Sequence, residues 1–236
     1  MLKKFSVLPD VDISALLRFN DELRAVLEAL DAGLIFSKGY YSHASYKAFL
    51  QSFVDGQREF IGHIKSDSWS IVPDDEGMES DARVDFVFMP TYLVTAILSR
   101  TLCEYPLLAL SIPNYSEALR KGMHFCTYRN LKGHGYDYLL GMTESLKILS
   151  LGKVPWLLER YPKFCPELYY VIRQAIREIK DRLSSGHTTD MWGGDLQQQF
   201  TEALVTLSIK NDTELFSVIK STNPDSDLLN EEDINL

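Results

Sequence analysis

The sequence predicts an all-α protein assembled from repeated helical hairpins, and three observations predict it. Apolar residues recur at three- and four-residue offsets along most of the chain, the period of one helix face. No stretch of useful length alternates apolar and polar residues as a half-buried strand does. One pattern also returns three times on an aspartate. Asp85, Asp137 and Asp195 are each followed six residues on by Thr91, Thr143 and Thr201. Nine residues on come Val94, Leu146 and Leu204, and twelve on come Ile97, Leu149 and Leu207.

The last two copies agree further, Thr143-Glu144-Ser145-Leu146 against Thr201-Glu202-Ala203-Leu204, and both follow a glycine-bearing turn. Those turns are Gly133-His134-Gly135-Tyr136-Asp137 and Trp192-Gly193-Gly194-Asp195. An Asp at a helix start accepts hydrogen bonds from unpaired first-turn N–H groups and meets the positive end of the helix dipole. Copies spaced on the order of 55 residues apart fit one helical hairpin plus its loops.

Taken in order, Asp12 or Ser14 can cap a first helix with Leu16, Leu17, Leu23, Val26, Leu27 and Leu30 on its apolar face. It ends near Ala32-Gly33, where glycine takes the left-handed conformation that closes a helix. A Tyr/Gly/Ser-rich loop from Phe36 to Ala44 leads to a second helix, Ser45–Ile64. Pro73 to Asp81 reads as an exposed acidic insertion. The third helix follows Asp85 and runs to about Leu102, with Pro90 in its first turns, where a missing donor costs least.

Pro106 and Pro113 bracket a short helical segment. Ser116–Leu131, with Leu119, Met123 and Cys126 on one face, precedes the GHGYD turn and a helix ending near Leu149. A proline-marked connection holds a short helix around Trp156–Arg160. Leu168, Ile172, Ile176, Ile179 and Leu183 mark the next helix, and the Asp195 helix runs to about Ile209. A short helix after Asn211 reaches Ile219. The expected organisation is one domain over 1–220 and an acidic, loosely held tail over 221–236.

With 236 residues and 45% apolar content the chain can bury one large core. A net charge of −9 argues against nucleic acid and anionic membranes as partners. Cys103, Cys126 and Cys165 lack paired spacing, so buried thiols are expected rather than a zinc site or a disulfide framework. The start of the chain has no apolar signal core, and the run Phe86–Leu98 is too short to span a bilayer. The expectation is a soluble, cytoplasmic protein with no cofactor and no metal.

Helix, Gly-His-Gly-Tyr-Asp or Trp-Gly-Gly-Asp turn, and helix opening at the Asp together resemble the helical hairpins of α/α toroids. The nearest pattern is the terpenoid cyclase and protein prenyltransferase β-subunit superfamily, in which outer and inner helices alternate around a cavity. The resemblance covers about residues 45–210 and is one of repeat style. It implies that Asp85, Asp137 and Asp195 stand at equivalent points around the cavity mouth. The chain is too short for that family's full ring, which leaves a ring that is partial, small or completed by a second copy in a homo-oligomer. The family's catalytic motifs are not matched: Pro73-Asp74-Asp75-Glu76 only superficially resembles the acidic box of protonating cyclases. The prenyltransferase zinc set is missing, and Gly133-His134-Gly135 echoes the lanthipeptide cyclases without their cysteines.

Two clusters carry chemistry. His134, Tyr136 and Asp137 place an imidazole, a phenol and a carboxylate at one helix start, a set suited to proton transfer. His187, Asp190, Trp192 and Asp195 set an aromatic platform beside two carboxylates, as a sugar-binding or sugar-cleaving site would. Trp69 and Asp85 belong to the same set of turns as candidate ligand contacts. The candidate catalytic residues are therefore His134, Asp137, His187, Asp190 and Asp195. The ligand is expected to be a carbohydrate or another small organic molecule. The plainer reading is that the aspartates cap helices and the aromatics pack, making the chain a non-catalytic binding or assembly module.

Overall fold

A computed structural model describes residues 13–61, 89–128, 138–161, 164–189 and 195–198. Eight helices are described: α1 Ile13–Asp31, α2 His43–Ile61, α3 Met89–Glu104, α4 Pro106–Leu110, α5 Tyr115–Tyr128, α6 Tyr138–Leu151, α7 Val154–Arg160 and α8 Pro166–Ser184. Among the described residues there is no strand, only an isolated bridge between Thr189 and Asp195. The protein is all-α, and its helices pack on one another.

The local rules account for where these helices begin and end. Gly33 has φ +69°, its N–H bonds the Leu30 carbonyl at 3.1 Å, and Leu34 N–H reaches back to Ala29 at 2.8 Å. That paired closure is the Schellman motif, and glycine adopts its left-handed residue without Cβ strain. Ser42 opens α2: its hydroxyl accepts the Ser45 N–H at 3.1 Å while Ser45 Oγ accepts the Ser42 N–H at 2.9 Å, a reciprocal cap. α2 thus begins at His43. Helices α4, α7 and α8 each carry a proline in the first turn, where no N–H is missed. Ser14 lies inside α1, and Asp12 lies outside the described residues.

The core is organised around α3. Every residue from Met89 to Thr101 is buried, and α1, α4, α5, α6 and α7 all pack on it. A helix covered on every face lies in the interior, and this one carries Thr91, Thr95, Ser99, Arg100 and Thr101 in with its apolar side chains. Leu23, Leu27 and Leu30 of α1 are buried, as are Leu119, Met123 and Cys126 of α5 and Leu146 and Leu149 of α6. Each such side chain contributes on the order of 1.5–3 kcal/mol relative to exposure. Outside this layer α8 packs on α5, α6 and α7, and α2 packs on α5.

Several polar groups inside this core are paired, although the buried Ser99 hydroxyl has no hydrogen-bond partner among the described residues. Tyr46 and Thr101 hydroxyls lie 2.7 Å apart, and Thr101 Oγ1 donates to the Ile97 carbonyl at 2.8 Å. Tyr115 donates to the Leu98 carbonyl at 2.7 Å. Burial holds the Tyr46, Tyr92 and Tyr115 hydroxyls well above the usual tyrosine range. Around Tyr46, Phe36, Tyr41, Phe49 and Phe53 make edge, tilted and stacked contacts with centroids 4.6–6.0 Å apart.

Candidate functional site

Of the nine sequence-predicted site residues, His187 and Asp195 are described. Trp69, Asp85, His134, Tyr136, Asp137, Asp190 and Trp192 lie outside the described residues, as does the Asp74–Asp75 loop. α6 begins at Tyr138, the residue after Asp137.

The segment carrying His187 and Asp195 grows out of the end of α8. Gly186 N–H bonds Leu183 at 3.0 Å and His187 N–H bonds Arg182 at 3.1 Å, the same closure that ends α1. The chain then returns: Leu196 N–H bonds the Thr188 carbonyl at 3.1 Å, and the Leu196 side chain is fully buried. One buried leucine thus anchors a segment whose His187 and Asp195 side chains are exposed. Asp195 Oδ1 accepts the Gln198 N–H at 2.9 Å, and residues 196–198 are helical. That is an N-cap geometry, with the carboxylate at the positive end of a helical turn.

A second polar cluster, which the sequence reading did not single out, gathers where α1, α3 and α6 end. Arg100, nearly buried on α3, places its guanidinium 3.0 Å from Asp31 and 3.3 Å from Glu104. It also donates to the backbone carbonyls of Leu151 at 3.2 Å and Asp31 at 3.4 Å. These carbonyls belong to the last residues of α6 and α1, so one guanidinium faces the negative ends of two helices. Glu104 pairs in addition with Lys153, and that hydrogen bond, more than the charge of Arg100, holds its carboxyl below the ordinary range. Beside them burial pushes the Cys103 thiol up to about 11, against the pull of Lys153, so it stays protonated and a poor nucleophile at neutral pH. Burial likewise raises Cys126.

The sequence signal for this cluster was a lone arginine in an apolar helix, with Glu104 one turn on. Its charges face one another, and the terminal nitrogens of its guanidinium donate to backbone carbonyls, so it is a structural clasp. Among the described residues no group of three His, Cys, Asp or Glu side chains could hold a metal ion. No described helix is long and apolar enough to cross a membrane.

Fold and site together define an all-α protein built on a buried central helix, with an aspartate-capped turn at Asp195. No protein-family model, curated protein or solved structure matches the chain.

Proposed function

We propose that the chain is a non-catalytic helical binding or assembly module whose Asp-bearing turns hold helices in place. The observation that carries this reading is the Asp195 carboxylate, engaged by the Gln198 N–H at 2.9 Å. A general acid or base must present its carboxyl to substrate with a pKa poised near the working pH. A capping carboxylate is committed to a backbone donor. Asp85 and Asp137 share its place in the repeat, and the proposal assigns them the same duty.

The competing reading is a pocket that binds or processes a carbohydrate or other small organic ligand by carboxylate acid/base chemistry. It rests on His134, Tyr136, Asp137, Asp190 and Trp192 alongside His187. The toroid-like arrangement belongs to that reading too, since an open ring needs inner helices that border a cavity. The burial of α3 on every side favours hairpins gathered around a central helix over hairpins around an open cavity.

A thermal-shift screen of carbohydrates and small organic acids separates the two, run on the wild type, His187→Ala and Asp190→Asn. The module reading expects any stabilising compound to act equally on all three proteins. A shift abolished in both variants would overturn it and establish a ligand site at this turn.

A further inference from the structure

We draw no further inference here: the strongest candidate, the apolar face that exposed Leu107 and Leu110 give α4 beside the α1–α2 loop, carries nothing because nothing in the structure shows what covers it.

Discussion

Gly152 lies directly against Ala96. A Cβ built on Gly152 would stand 2.5 Å from the Ala96 Cα and 2.7 Å from its carbonyl oxygen. Contacts that short are with backbone, so the turn between α6 and α7 can approach α3 only with hydrogen at this position. We expect Gly152→Ala to lose at least the ~1–3 kcal/mol typical of overpacking. Adding Ala96→Gly should not restore stability, because the Cα and the oxygen remain in the way. Urea denaturation of the single and double variants measures this, and a stable double variant would contradict it.

Arg100→Met removes the donor from two helix-terminal carbonyls while keeping the side chain's apolar bulk. Hydrogen bonds from charged donors are worth about 1.5–3 kcal/mol each, so we expect a loss of about 2–4 kcal/mol. Arg100→Lys should recover only part of it, since an ammonium cannot reproduce the planar fork. Asp31, about half exposed, pairs in solvent. Asp31→Asn should therefore cost under about 1 kcal/mol. Equal losses in Arg100→Met and Asp31→Asn would show that the ion pair, not the carbonyl contacts, is what matters.

The Glu104–Lys153 pair should leave a mark on the acid side of the stability curve. Folding lowers the Glu104 pKa, chiefly through the Lys153 hydrogen bond. Its contribution is therefore present above the ordinary value of 4.5 and lost as pH falls through the lowered folded value. Because both partners are partly exposed, the amount is under about 1 kcal/mol. Glu104→Gln should flatten that part of the pH dependence and leave the neutral-to-alkaline part unchanged.

Tyr46 and Thr101 form a chain of hydroxyls ending on the Ile97 carbonyl. Tyr46→Phe removes the outer link and leaves Thr101 still bonded, at an expected ~1 kcal/mol. Thr101→Val leaves a buried phenol without its partner and should cost more, about 1–3 kcal/mol. The double variant should then cost less than the sum of the singles. Strict additivity in chemical denaturation would show that the two hydroxyls do not interact.

Asp195 tests the capping assignment directly. Asp195→Asn keeps an oxygen acceptor for the Gln198 N–H and should hold stability within a few tenths of a kcal/mol. Asp195→Ala should lose about 1 kcal/mol. Equal stability of the two variants would remove the cap from the account.

Much of this architecture was legible where chemistry is local. Gly33 follows the last residue of an apolar stripe and closes α1, and Pro106 and Pro113 bracket α4. The proline-marked connection with its short helix around Trp156–Arg160 and the stripe from Leu168 mark α7 and α8. The Asp195 cap could be read from its place before an apolar run. What could not be read was which helix lies across which. In sequence the apolar stretch through Leu98 is the loosest of three copies of one pattern, and nothing in it shows that α1, α4, α5, α6 and α7 all pack on this helix. Its buried Thr95 and Thr101 look polar in sequence, but their hydroxyls are matched by Cys126 and by Ile97 and Tyr46. Gly152 and Arg100 matter through residues distant in the chain, and spacing along a sequence does not encode such meetings.

The position of α3 also governs how the chain can be built. During synthesis α1 and α2 leave the ribosome before the helix that covers α1, and before α5, the partner of α2, has been made. Their apolar sides must wait for partners made later, and a product cut after Ile61 lacks the helix on which α1 packs.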